Sequence, residues 1–404
     1  MPPHVLAFSV EAATTALAVA GMGYFLAALA AARLFLLHSR ARPAELPHPA
    51  PGVSILKSLK GLDPGMIDAF RSHCRQAYPG EYELLFGVSS FDDPAAAAVG
   101  QLKSEFPERP IRLILCPKRL GANGKVSTLV QLAGHASHGF LLINDSDIAV
   151  SPRYLARVMA CFAPSVREAG KGPVGLVTAL YRGHAHGTFA SRLEALGIAT
   201  DFQSGVLLSR VVEGGLRYGL GSTLAVSREA LEKAGGMAAL VDYLADDYEL
   251  GARVSAAGYR VELSAEVVET NVPAYGWRAF ANHQLRWART VRDARPAGYA
   301  GLAVTHGLAW ALLNVLASGL SPVSLWLLAL SFFLRIAQAM TVGASVLADR
   351  EVLPFLWLLP LHDLVAMGMW VAGFAGNAIE WRGERFLLEH GKLVRLAKPA
   401  EPSS

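Results

Sequence analysis

The sequence is short of charge. Only 17% of its 404 residues are Asp, Glu, Lys or Arg, while 52% are hydrophobic. Mean hydropathy is +0.33, too apolar for an ordinary soluble enzyme and the wrong composition for a disordered chain. Cysteine is scarce as well. Cys74, Cys116 and Cys161 are odd in number, and no two have C-x-x-C spacing. They read as reduced, buried thiols in a cytosol-facing domain, and no base stands near them to make a catalytic thiol. No low-complexity filler occurs, and no basic run is interleaved with aromatics, so nucleic acid is not an expected partner. The net charge of +4 says little by itself. The placement of the basic residues says more, because they cluster beside apolar segments, where anionic lipid headgroups attract them.

The apolar residues collect at 5–37 and 302–378, and the middle reads as a globular α/β domain. No charge falls between Glu11 and Arg33, a stretch of 21 residues that is long enough to span a bilayer. Arg33, Arg40 and Arg42 follow it, then a Pro-rich linker at 43–52 with Pro43, Pro47, Pro49 and Pro51. A cleaved signal peptide carries its positive charge before the apolar run, so this segment, 1–42, is expected to be a membrane helix with its N-terminus outside and the next domain in the cytoplasm.

Residues 53–275 alternate β-like runs (53–56, 82–88, 111–116, 140–144 and 174–181) with helical patterns near 64–77, 94–106 and 124–137. This predicts a largely parallel, doubly wound sheet whose ligands bind beyond the carboxyl ends of its strands. The stretch 276–300 holds Trp277 and Trp287 among Arg278, Arg286, Arg289, Arg292 and Arg295, the pattern of a basic amphipathic helix in a membrane interface. Beyond it, 302–320, 322–347 and 352–377 are candidate spans within 301–378. Three spans would strand the basic tail 379–404 (Arg382, Arg385, Lys392, Arg395, Lys398) outside, against the positive-inside rule. The first of them, interrupted by Thr305-His306 and ending at Gly319 and Pro322, is therefore expected to be re-entrant.

Acidic groups stand where the sheet predicts chemistry. Asp145-Ser146-Asp147 directly follows a buried strand, so its two carboxylates can share a hard divalent cation whose shell a nucleotide diphosphate completes; a solvated turn is the plain alternative. Asp92-Asp93-Pro94 fits helix capping, with one carboxylate left to face a nucleotide. Asp246-Asp247 sits beside aromatics, where burial and its like-charged neighbour would raise a carboxyl toward the range of a general base; a favourable first helical turn explains it equally. Arg286-Trp287 pairs a fork suited to diphosphate with an indole suited to stacking, or else anchors the interfacial helix. Lys57, Lys60 and Lys125 are placed to meet phosphates or to sit in solvent.

Together these motifs resemble the lipid-acceptor and processive glycosyltransferases of families 2 and 21. The ceramide glucosyltransferase family is closer, through Ser54-Ile55-Leu56-Lys57-Ser58-Leu59-Lys60-Gly61, Gly121-Ala122-Asn123-Gly124-Lys125-Val126, Gly235-Gly236 and Tyr243-Leu244-Ala245-Asp246-Asp247-Tyr248. The tract His283-Gln284-Leu285-Arg286-Trp287-Ala288-Arg289-Thr290 looks most like the bacterial hopanoid-biosynthesis branch. The resemblance covers about residues 50–300 and implies a GT-A (Rossmann-like) domain flanked by transmembrane helices, with catalysis on the cytoplasmic side of a bacterial inner membrane. It implies that Asp92 and Asp93 meet the uridine, that Asp145, Asp147 and Lys125 hold the diphosphate, the first two with Mg2+ or Mn2+, and that Asp247 is the base. Arg286 and Trp287 would close the site, with Asp246 beside the acceptor. One departure stands out: the family has Gln or Arg where this chain has His283, which would turn that residue toward the acceptor.

The implied reaction is an inverting transfer from a UDP-sugar to a lipid hydroxyl, either N-acetylglucosamine to a hopanoid polyol or glucose to ceramide. From another class, a membrane protein that only binds nucleotide sugar or lipid would not need all three acidic blocks. A processive synthase would need more C-terminal spans and the missing glutamine.

Overall fold

The computed structural model describes residues 3–41, 45–164 and 172–396. Pro43, Arg42 and Lys398 lie outside the described residues. The catalytic-domain sheet comprises β1 (Val53–Ser58), β2 (Tyr82–Val88), β3 (Ile111–Leu115), β4 (Phe140–Ile143), β5 (Val174–Ala185), β6 (Leu224–Ser227) and β7 (Arg260–Val272), in the order β3-β2-β1-β4-β6-β5-β7. β1 to β4 are mutually parallel, β6 is antiparallel to both β4 and β5, and β5 is parallel to β7. Six strands thus share one direction and β6 opposes them. β1 and β2 are almost wholly buried, as strands covered on both faces must be, which is why they read as unbroken apolar runs.

The expectation of a largely parallel sheet holds, but β6 and β7 were not anticipated. β6 is only four residues long, and β7 mixes Glu, Ser and Thr into its run. The reversal at β6 matters for the site. Because Ile143 pairs with Leu224, the loop leading into β6 comes down beside the chain leaving β4. Gly221 is thereby delivered to Asp145.

The apolar segments pack on this domain as four candidate spans, Ser9–Ser39, Pro296–Ala317, Pro322–Val346 and Arg350–Gly373. The first two run antiparallel. Gly307 sits against Gly21, so that a Cβ on Gly21 would lie 2.1 Å from the Gly307 Cα. Seven residues on, Asn314 donates to the Glu11 carbonyl and to the Thr14 and Thr15 hydroxyls. Small residues allow such close backbone approach, and a side-chain amide then satisfies itself across the interface. The third segment returns, bringing Arg335 over the Phe25 ring and into a two-pronged pair with Asp363 at 2.9 Å. Both residues are buried, and Arg335 also donates to the Thr200 carbonyl.

The fourth segment behaves differently. It begins where Arg182 of β5 holds the Leu347 and Ala348 carbonyls, passes Phe355 under Arg192 and His362 against Gly197, and ends where Arg292 holds the Gly373 carbonyl. Its start therefore lies against β5 of the α/β domain and its end against the Trp277–Ala294 helix. Its exposed positions Leu353, Trp357, Leu361, Leu364, Val371 and Phe374 recur at steps of three, four and seven residues along one apolar face.

Two expectations are corrected. The stretch 378–395 is not a plain basic tail but a three-stranded antiparallel sheet, β8 (Ala378–Trp381), β9 (Glu384–Glu389) and β10 (Lys392–Arg395). Its two-residue turns, Arg382-Gly383 and His390-Gly391, have φ > 0 at both positions, the geometry that hairpin twist selects. The arginines of the Trp277–Ala294 helix are also not all free for headgroups. Arg289 and Arg292 donate to the carbonyls of Ala375, Gly373 and Gly376, at the frayed C-terminal end of the helix Leu359–Gly373, where cations are favoured. Arg295 pairs with Glu213.

The Gly21–Gly307 contact gives a direct test. Gly21→Leu should lower the unfolding temperature of the detergent-solubilised protein, because overpacking there costs about 1–3 kcal/mol or more. Gly23→Leu, whose Cβ meets nothing within 4 Å, should leave it unchanged. Equal melting of both variants would refute this helix pairing.

Candidate active site

Asp145 leaves the end of β4, and three residues fix its surroundings. Lys125, in the first turn of the helix Gly124–Ala133, places its ammonium 2.8 Å from Asp145 and 3.1 Å from Asp246. That helix starts where it does because Asn123 caps it, accepting from Val126 N, while the Asn123 amide donates to the Tyr243 carbonyl. One asparagine thus ties the Lys125 helix to the turn preceding Asp246-Asp247. The third residue is Lys57, which is buried in β1 rather than in a loop and donates to the Asp145 carbonyl at 3.0 Å. Burial lowers Lys57 to about 7, against the pull of Asp147 and Asp145. Lys57 therefore shapes the turn from beneath and does not face solvent phosphate.

Asp246 and Asp247 open the helix Asp246–Ala256. Asp247 accepts from Gly221 N at 2.7 Å and from Tyr248 N at 2.8 Å. A Cβ on Gly221 would lie 3.2 Å from Oδ2 of both Asp145 and Asp247, so the two carboxylates flank this glycine. Burial, and then its neighbour Asp246, raise Asp247 to about 6. Burial also raises Asp246, with Lys125 opposing. Lys125 itself is held above the usual lysine value: burial works against its charge, but Asp145, Asp246 and Asp247 together win.

Asp147 turns Oδ2 toward β7, accepting from the Thr270 hydroxyl at 2.5 Å and from Asn271 N at 3.2 Å. Burial and Asp145 raise it. Asp145, half exposed, keeps hard oxygen for a cation. Among the described residues no group of three His, Cys, Asp or Glu side chains gathers for a metal. The donor set therefore fits a cation shared with a ligand's own oxygens, held by Asp145 and Asp147, rather than a closed protein cage.

The sheet places the remaining block at the same edge but two strands away. Asp93 caps the helix Pro94–Glu105 through Ala95 N and also accepts from Gly61 N, so it fastens the loop after β1. Asp92 is exposed and bonds only within its turn, to Ser90. Asp63, which the sequence did not single out, joins this loop to the centre by accepting from Ser146.

Arg286 and Trp287 come from the Trp277–Ala294 helix. Arg286 makes no side-chain hydrogen bond or ion pair among the described residues. Burial lowers it, against the pull of Glu194, Tyr275 and Asp145. Trp287 packs on His283 (ring centroids 4.8 Å) and faces Phe202 at 6.3 Å, which in turn lies 5.7 Å from Tyr181. Tyr181 is held far above the usual phenol value, by burial and then by Asp247. An aromatic wall thus runs from the acid cluster to the helices of the apolar segments. His283 is occupied: Glu194, almost buried, holds it at 3.1 Å, and the same carboxylate binds Tyr275 and Gln284. Glu194 and Tyr181 escaped the sequence reading because neither sits in a motif; only β5 and the helix Phe189–Gly197 bring them here.

Comparisons with known proteins identify the family and the fold. The family model described as Glycosyl transferase family 21 matches residues 13–394. Two proteins of Caenorhabditis elegans are each 22% identical: Ceramide glucosyltransferase 3, with 84% of this chain and 73% of the relative aligned, and Ceramide glucosyltransferase 1, with 91% and 78%. The fold is that of a mannosyltransferase from Pyrobaculum calidifontis, solved in complex with GDP-Man and Mn2+, at 19% identity and a TM-score of 0.54, covering 90% of this chain and 97% of that one. The chain belongs to glycosyl transferase family 21 and is a GT-A glycosyltransferase with apolar helices long enough to cross a membrane.

Proposed function

We propose that the protein transfers a sugar from a UDP-sugar to the hydroxyl of a membrane lipid, with inversion, at the cytoplasmic face of a bacterial inner membrane. One observation carries this reading: Asp247, raised to about 6, lies beside Asp145 at one end of an aromatic wall whose other end reaches the apolar helices. A base that must meet a lipid hydroxyl needs such a location.

In this reading Asp247 accepts the proton of the attacking hydroxyl, and its bonds to Gly221 N and Tyr248 N fix its direction. Asp145 and Asp147 would hold a Mg2+ or Mn2+ ion, which when bound neutralises charge on the departing diphosphate. Arg286, without a side-chain partner among the described residues, is free to grip that diphosphate. Lys125 keeps Asp145 and Asp246 from repelling one another while the site is empty of other cations. Asp92 is left to meet the uridine at the β2 edge, with Asp93 holding the loop.

The arrangement of the apolar segments supports a membrane topology. The first three cross the bilayer, and Arg350–Gly373 lies along the catalytic domain with its apolar face toward acyl chains. Both of its ends are then cytoplasmic, and the basic C-terminal sheet obeys the positive-inside rule. In this reading the non-crossing segment is the last, where the sequence pointed to the first.

For the acceptor, the His283–Thr290 tract and the aromatic faces of Trp287 and Phe202 favour a hopanoid polyol receiving N-acetylglucosamine. The names of the relatives favour a second reading, glucose to ceramide. Purified protein offered a panel of UDP-sugars with both lipids decides between them. Release of UDP that no lipid stimulates would contradict both.

Two results are expected of the base. Asp247→Asn should lower turnover by about 10²–10⁴ while UDP binding survives; near-normal turnover would remove the assignment. Because the base acts as carboxylate and its folded value is raised, kcat/KM should fall about tenfold per pH unit below about 6 and level off above it. A profile flat down to pH 4.5 would contradict the raised value.

A further inference from the structure

The C-terminal sheet is docked on the catalytic domain at the elements that build the site. Leu393 N donates to the Asp242 carbonyl at 2.7 Å, and Leu244 N to the Gly391 carbonyl at 3.1 Å, gripping the segment just before Asp246. Glu384 pairs with Arg119, two residues before Gly121 of the Lys125 loop. Arg289, on the same helix as Arg286, holds the Ala378 carbonyl. Anchored on three sides, the β8–β9 hairpin projects its turn beyond the carboxyl end of β1, where Arg382 donates to the Lys60 carbonyl at 3.4 Å. That is the sheet edge on which Asp93 fastens the Gly61 loop.

Neither Arg382 nor Arg286 has a carboxylate partner among the described residues. Burial lowers Arg286 most; Glu194, Tyr275 and Asp145 oppose this, and Arg382 adds to the lowering. Holding two unpaired cations near one another costs free energy unless an anion lies between them. A diphosphate, with oxygens facing both ways, is the anion this site calls for.

We propose that Arg382 is a second diphosphate-binding arginine of the donor site, presented by the C-terminal sheet opposite Arg286. The inference rests on reading the donor as a nucleoside-diphosphate sugar. It gives the sheet a purpose: a rigid clasp that closes the donor site from a part of the chain beyond the apolar helices.

The test uses the full chain in detergent free of anionic lipid. Affinities for UDP and for uridine are measured with wild type, Arg382→Asn and Arg382→Lys. Asparagine tolerates the positive φ of the turn while removing the charge. Arg382→Asn should weaken UDP roughly tenfold or more, as expected for a lost bond to a charged group, and leave uridine unchanged. Arg382→Lys should fall between. Wild type that binds no UDP would overturn the donor reading itself. Wild type that binds UDP no better than Arg382→Asn would overturn only this inference, and so would an equal loss for UDP and uridine, which marks a structural role. UDP affinity unchanged while binding to anionic vesicles falls would make Arg382 a headgroup contact instead.

Discussion

The Lys125 ammonium, suspended between Asp145 and Asp246, is the interaction on which the site depends. Four carboxylates from β4 and from the helix after Tyr243 meet in one partly buried cleft. Like charges at such range in a poorly hydrated place repel strongly unless they are protonated or compensated. One lysine, itself positioned by the Asn123 cap, lies between two of them and offsets their charge. It leaves Asp247 on the margin, raised but still able to ionise near neutrality. The acid–base character of the centre follows from this uneven compensation: one lysine, placed nearer to two carboxylates than to the third.

The rest of the molecule can be read as support for that cleft and access to it. The reversed strand β6 brings Gly221 between Asp145 and Asp247, where any side chain would fill the space. Glu194 gathers Tyr275, His283 and Gln284, and so sets the pitch of the helix that offers Arg286 and Trp287. The buried Arg335–Asp363 pair binds the returning apolar segments to one another and to Thr200, adjoining the turn of chain that presents Phe202. Buried ion pairs are poor sources of net stability but costly to break singly. This one serves as a register pin between the membrane helices and the acceptor side of the site.

Much of this was legible beforehand. The strand–helix alternation, the acid blocks at strand ends and the apolar segments all follow from local pattern, and the thiols are buried and free as read. What escaped were features that only tertiary structure decides. β6 is too short to announce itself. Lys57 looks like a loop lysine because the strand continues past its apolar start to Ser58. The arginines near the membrane looked alike in sequence, yet three of them serve carbonyls or Glu213 while Arg286 stays unpaired. The C-terminal sheet hid behind its basic composition, since Arg-Gly and His-Gly are weaker hairpin signals than Asn-Gly or Asp-Gly. The last apolar segment passes every test of length and hydropathy for a span, and only its contacts at both ends set it apart from the others.

The central claim is spatial: the donor's diphosphate lies in the gap between Asp145 and Arg286, at the mouth that the aromatic wall joins to the membrane helices. An experimental structure of the full chain with UDP and Mn2+ in a lipid nanodisc measures this directly. The account predicts the metal on Asp145, the diphosphate within hydrogen-bonding reach of Arg286 and the uridine over the β1–β2 edge. Nucleotide density at the opposite edge of the sheet, or cut off from Phe202 and Trp287 by protein, would contradict it.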